Sequence, residues 1–283
     1  MKSKSIFKRS LMVAACSAAL ACLSTGVSAQ VFPDFQVTEG NPASTPGSGF
    51  VQFTADKITG NYIEVITFGP GNTFNVSLKW NAGQFVANDG ATPIGVTQLG
   101  QTGSPFPTSY GLYALFQAGG TFAAGPGGTT TFTFNPLAPS LLQVFTDPGT
   151  DTTFTAPANG SLPWTTTPGT ADILIATGNA LSGNGTLEPN SASCGQTNGI
   201  NCGSFGTTTS FALTAAGSTF FTSPIPFYNL AFESGQLNNF TVAGTQTING
   251  SLDVVFGRVP EPATLGLLGL GFAAFGFARR RRT

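Results

Sequence analysis

The sequence predicts an all-β protein, an antiparallel sandwich with a jelly-roll as its variant form. Three observations predict it. Short segments rich in Val, Ile, Phe and Thr recur along the chain. Gly, Pro and Asn punctuate the intervals between them, and no long run of helical period survives those breaks.

The strand candidates follow in order. Phe50–Phe53, Tyr62–Phe68 and Phe74–Trp80 come first, then Tyr110–Phe116, Thr129–Phe134, Leu141–Phe145, Asp172–Ala176, Thr207–Leu213 and Gly250–Phe256. In Phe74–Trp80 the apolar set is Phe74, Val76, Leu78 and Trp80, with Asn75, Ser77 and Lys79 between them. That alternation places one set on each face of a half-buried strand. Gly69-Pro70-Gly71-Asn72 and Asn88-Asp89-Gly90 read as turns. A short helix is expected around Tyr228–Leu237, and Pro148–Gly169 reads as a long Thr/Ser/Gly-rich loop. The many Phe and few Trp or Tyr fit a core filled by phenylalanine, and no internal repeat suggests a propeller or solenoid.

Both ends read as targeting segments, leaving residues 30–258 as one exported β-rich domain. Residues 1–29 have a basic start through Lys8-Arg9, an apolar stretch Leu11–Leu23, and Val27-Ser28-Ala29. This is the pattern of a secretory signal peptide cut between Ala29 and Gln30 by signal peptidase. A lipoprotein reading through Cys16 or Cys22 competes with it. At the other end, Val259-Pro260-Glu261-Pro262 precedes an apolar run, residues 263–278, and the cluster Arg279, Arg280, Arg281, Arg282. As a helix that run spans about 24 Å, close to the lower limit for a bilayer. The arginines hold their side in the cytoplasm and place the body outside. Two prolines around Glu261 keep that point out of helices and strand ladders, hence extended and reachable.

Pro260-Glu261-Pro262, the glycine-rich apolar helix and the arginine cluster together resemble the PEP-CTERM sorting signal. The resemblance implies recognition by an exosortase, membrane contact through residues 263–278 before processing, and release or attachment outside the inner membrane. The competing reading is a plain terminal membrane anchor.

Charge narrows the function further. The termini hold eight of the eleven basic residues, so the body has three basic residues against eleven acidic ones, a formal charge of −8. Such a body does not neutralise phosphates, and no nucleic-acid partner is expected. Its surface must be built mainly from Thr, Ser, Asn, Gln and Gly, which suits a matrix or adhesive protein. The chain has no histidine, which removes Ser-His-Asp and Cys-His catalysis and histidine metal ligands. No phosphate-binding or dinucleotide motif is present. The expectation is a non-enzyme without cofactor or metal, although a two-carboxylate hydrolase stays formally open.

A few residues invite specific readings. Cys194 and Cys202 form an even pair in an exported chain, which reads as a disulfide contributing about 2–3 kcal/mol. A redox or metal pair is the alternative. Asp147 and Asp151 read as turn residues, with calcium binding as the alternative. Glu64 lies in a strand pattern and reads as solvent-facing. Trp80 reads as core; Trp164, beside Pro163, is the better placed of the two for an exposed sugar-stacking ring, but packing is the favoured role for either, given the area a Trp buries. The sequons Asn75-Val-Ser77 and Asn184-Gly-Thr186 read as incidental.

Much of the body also resembles the flocculation-associated PEP-CTERM proteins of exopolysaccharide-forming bacteria. The matching stretches are Val31–Phe35, Asp56–Tyr62, Trp80–Phe85, Tyr110–Tyr113, Asn201–Thr207, Phe227–Leu230 and Asn249–Phe256. The resemblance implies a cell-surface or extracellular-matrix protein that promotes cell aggregation with extracellular polysaccharide as partner. A lectin-like module and a secreted carboxylate-based glycan hydrolase are the alternatives.

Overall fold

Period-two alternation becomes the inner and outer faces of long strands. The computed structural model describes residues 32–40, 51–100, 109–136, 139–194 and 201–257. The signal segment 1–29, the pair Ala29 and Gln30, and the sorting segment 259–283 with its expected membrane helix lie outside the described residues. Among the described residues no helix is long and apolar enough to cross a membrane.

In chain order the elements are β1 (Phe35–Glu39), β2 (Val51–Ala55), β3 (Lys57–Gly69), β4 (Thr73–Ala87), β5 (Thr92–Pro93), β6 (Tyr110–Ala124), β7 (Thr130–Phe134) and β8 (Leu141–Pro148). Then come β9 (Thr153–Thr155), β10 (Thr165–Thr167), β11 (Ile173–Gly178), β12 (Ala180–Leu187), β13 (Gly203–Thr209) and β14 (Ala212–Leu213). Helix α1 (Ala215–Phe220), β15 (Phe221–Ser223), β16 (Asn229–Ser234), β17 (Thr245–Ser251) and β18 (Asp253–Gly257) complete the chain.

The all-β class holds, but the sandwich does not: the main sheet closes on itself. The order β3–β4–β6–β7–β12–β13–β16–β18 returns to β3, antiparallel throughout. Closure comes from β6. One edge of this strand pairs with β4, while the other pairs first with β8 and then with β7. The sheet therefore branches: β7 continues the barrel, and β8, β11 and β14 form an arm. Period-two alternation looks the same in a sandwich and a barrel, so the sequence pattern does not separate them. Strand β17 continues β18 along β3, so Thr245–Gly257 runs beside that strand with a break at Leu252.

The β3–β4 hairpin turns through Gly71 and Asn72, both at positive φ, as the Gly-Asn pair suggests. The expected helix at Tyr228–Leu237 is instead β16, because Leu230, Phe232 and Ser234 alternate inward. The one α-helix among the described residues is α1, capped by the Thr214 hydroxyl, which accepts the Gly217 N–H at 3.0 Å. The expected loop Pro148–Gly169 contains the β9–β10 hairpin, laid on the outside of the barrel.

The barrel is filled by aromatic rings. Phe74 meets Phe132 and Phe134 edge to face at 5.7 and 5.4 Å. Trp80 is buried as expected, and its indole N–H donates to the Leu252 carbonyl at 2.8 Å. Gly60 makes that possible: a Cβ there would come within 2.4 Å of the indole nitrogen. At the end where β18 finishes, the sheet β15–β1–β2 packs over the barrel through Phe35, which touches Phe85, Phe221 and Phe256. At the far end, where β3 turns into β4, residues 235–244 form a strap carrying Leu237 and Phe240.

Outward-facing positions are mainly polar, among them Thr59, Asn61, Asn75, Thr133, Asn184, Ser204 and Thr208. An apolar interior with a polar wall is the reverse of a membrane-spanning barrel with its aqueous lumen.

Candidate functional site

The antiparallel registers of β7, β12, β13 and β16 align residues distant in sequence. Thr133 lies opposite Asn184, Asn184 opposite Gly206, and Gly206 opposite Glu233. The next row is Ser182, Thr208 and Ala231. Together they line a groove of about 420 Å³ in the barrel wall. With strands ~4.8 Å apart, the first row is about 14 Å across. The groove exists because Gly206 has no side chain. A Cβ there would have only the Phe232 carbonyl near it, at 3.6 Å, so packing does not demand glycine.

The groove offers hydroxyls and an amide, which both donate and accept, and one acceptor carboxylate, Glu233. The neighbouring Asp253 is paired with Lys57 at 3.0 Å. A multi-hydroxylated or amide-bearing ligand fits this chemistry. Among the described residues, no group of three metal-ligating side chains converges.

Other residues singled out in the sequence lie elsewhere. Asp147 lies at the end of strand β8 and opens the turn that follows, its carbonyl accepting the Thr150 N–H at 3.2 Å, and Asp151 lies just past that turn. Asp147 accepts the N–H groups of Asp151 and Thr152, both at 3.2 Å. Asp151 accepts the Thr170 N–H and hydroxyl at 2.9 and 2.8 Å, which hold its carboxyl below the usual range. Trp164 is not an exposed stacking ring. Only 8% of it is exposed, and its indole N–H donates to the Ser77 carbonyl at 3.1 Å. It docks the β9–β10 hairpin on the wall, with Lys79 over the Phe154 ring at 4.2 Å. Burial lowers the pKa of Lys79. Cys194 and Cys202 are joined in a disulfide.

Glu64 is not solvent-facing. It points into the barrel with Tyr62 and Ile66, 6% exposed, and burial pushes its carboxyl up to about 8. A second buried carboxyl, Glu39, is absent from the sequence expectations. It is fully enclosed and accepts from the Thr97 hydroxyl, the Gln98 N–H at 2.8 Å and the Tyr110 hydroxyl at 2.7 Å. Burial raises its pKa against the opposing effect of those bonds. The signal was present in both strands: Phe35, Val37 and Glu39 alternate inward, as do Tyr62, Glu64 and Ile66.

The fold and the groove define a phenylalanine-filled β-barrel with a hydroxyl- and amide-bearing wall. Residues 258–282 match the family model of the PEP-CTERM protein-sorting motif. That match contains Pro260, Glu261, Pro262 and Arg279 to Arg282. The motif makes this an exosortase-sorted, exported protein directed to the cell surface. No curated protein and no solved structure matches the chain.

Proposed function

We propose that the chain is a structural, adhesive protein of the cell surface that holds cells together within an extracellular polysaccharide matrix. The observation that carries this reading is the groove of Thr133, Ser182, Asn184, Thr208 and Glu233 on a charge-poor wall. Such side chains exchange hydrogen bonds with water for hydrogen bonds with sugar hydroxyls, each worth about 1 kcal/mol net. Repetition along a polymer then raises the total by avidity. The absence of histidine from the sequence supports binding over catalysis, and the resemblance to flocculation-associated proteins points the same way. In this reading signal peptidase removes residues 1–29 and an exosortase processes the tail near Pro260-Glu261-Pro262.

The test is deletion of Pro260–Thr283 in the producing cells. Loss of flocculation, with the protein appearing in the medium, is the expected outcome. Normal flocculation with the protein free in the medium overturns the surface-matrix role. The fixed geometry of the groove favours a second reading, a lectin-like module, which a glycan array would reveal as one sharp, saturable hit.

A further inference from the structure

Beneath the far-end strap lies a cavity of about 30 Å³, room for one or two waters. Its walls are apolar except for Glu64. Among the described residues, the Glu64 carboxyl has no hydrogen-bond or ion-pair partner. A buried carboxyl without a partner is costly once ionised, and here no cation offsets it. Among the described residues, the one titratable group facing it is Tyr62, on its own strand. Strands β4, β7, β12, β13 and β17 and the strap present apolar side chains or glycine to the cavity. The strap itself, Gly235–Gly244, carries no charged residue.

The strap is held lightly. The Cys202 N–H donates to the Leu237 carbonyl at 2.9 Å, and the Leu237 N–H donates to Gly203 at 3.2 Å. The Phe68 N–H closes on the Gly244 carbonyl at 2.9 Å. Between these ends, Phe240 rests on Phe68 and Phe132 at 6.2 and 6.1 Å. Asn238 Nδ2 also donates to Asn249 Oδ1 at 3.0 Å, but among the described residues the stretch 239–242 makes no hydrogen bond to the barrel and rests on it through side chains alone, which describes a segment able to open locally.

We infer that the strap is a pH-operated lid on the barrel, with Glu64 as its trigger. The protonated carboxyl stays in the closed cavity. Once ionised, it draws water in, and the strap lifts to expose Phe68, Phe132 and the cavity beneath. The response follows from linkage. In the closed form Glu64 holds its proton up to about pH 8; in the open, hydrated form it returns to its ordinary 4.5. Between those values the open form releases a proton that the closed form keeps. Opening therefore becomes about tenfold more favourable per pH unit, and levels off above the upper value.

Hydrogen exchange on the full chain tests this, read at the Leu237 and Phe68 amides and at mid-barrel amides such as Leu78. After correction for base-catalysed exchange, the opening constant at Leu237 and Phe68 is expected to rise about tenfold per unit from pH 5 to 8. Leu78, which opens only with the whole barrel, should stay far better protected than Leu237 and Phe68 at every pH; equal opening constants at all three amides would mean global unfolding and overturn the lid. In Glu64→Gln the slope should vanish, and Glu64→Leu provides the same reading if the amide variant fails to fold. A flat wild-type profile, or a slope that survives in Glu64→Gln, overturns the lid. Carbon-13 carboxyl titration gives a reading without any variant: a Glu64 midpoint near 4.5 also overturns it.

Discussion

Replacing Glu39 should separate the role of a buried charge from that of its hydrogen bonds. Glu39 is wholly enclosed, and its partners Tyr110 and Thr97 are exposed by 0 and 2%. Both hydroxyls donate to Oε1, while the Gln98 N–H donates to Oε2. Glu39→Ala removes every acceptor at once and strands three buried donors beside a cavity. Breaking a buried charged network in this way costs about 3–5 kcal/mol. Glu39→Gln keeps Oε1 for the two hydroxyls, but turns an N–H₂ group toward the Gln98 N–H. One unsatisfied donor costs about 1–3 kcal/mol. The two variants should differ by about 2 kcal/mol, or close to 1 M in urea midpoint for an m value near 2 kcal/mol/M. A pH series adds a second reading. Burial raises the folded pKa of Glu39, so the unfolded chain loses this proton first as pH rises. Stability from this group is complete below its ordinary value of 4.5 and falls as pH climbs toward the folded value. Glu39→Gln should remove that part of the slope. Equal midpoints for Ala and Gln, with an unchanged slope, would refute the hydrogen-bonded account of Glu39.

Three further perturbations test other parts of the molecule. Gly206→Ala adds a Cβ to the groove with nothing nearer than the Phe232 carbonyl at 3.6 Å, so thermal unfolding should shift by less than about 1 kcal/mol, while retention on the matrix polysaccharide in a pull-down should fall; undiminished retention would dissociate the groove from binding. Trp164→Ala strips the hairpin of its buried anchor and should cost about 3–5 kcal/mol if the hairpin unfolds with the barrel; limited proteolysis within 148–169 at unchanged barrel stability would show instead that it detaches alone. Cys194→Ser with Cys202→Ser should lower stability by about 2–3 kcal/mol and speed exchange at Leu237, whose carbonyl accepts the Cys202 N–H; an unchanged urea midpoint would argue against any contribution from the loop closure.

Local structure was legible wherever one strand carried its own pattern. Phe74 to Trp80 alternates cleanly, and the structure buries its four apolar residues. The same rule, applied without regard to charge, would have placed Glu64 and Glu39 inside. For Glu64 the expectation that a carboxylate seeks water overrode the alternation, and Phe35–Glu39 was not among the strand candidates. For Trp164 packing was legible from the size of the ring, but not its partner: Ser77 is 87 positions away, and threonine-rich flanks look like any exposed loop. Barrel closure depends on β6 meeting β8 and β7 along one edge, a pairing choice that no single strand encodes. The groove is less visible still, since its first row joins positions 133, 184, 206 and 233 through three registers.

The barrel's two ends differ in construction, and the chain's path decides which is nearer the sorting motif. Strand β18 stops at Gly257, beside Asn229, at the end covered by Phe35 and its sheet. Pro260 follows three residues later, a reach of about 10 Å even when fully extended. If the chain is attached outside after processing near Pro260, this covered end stays close to the attachment point. The strap and Glu64 occupy the opposite end, where β17 begins at Thr245 beside Thr67. The groove lies on the outer face of β7, β12, β13 and β16, where Thr133, Asn184 and Gly206 alternate with the inward residues Phe132, Phe134, Gly185 and Phe205 that line the cavity. In the proposed function polymer would lie outside this wall, with the strap and its cavity on the inner side of the same strands. Anchoring would constrain the first end and leave the lid free to respond to the medium.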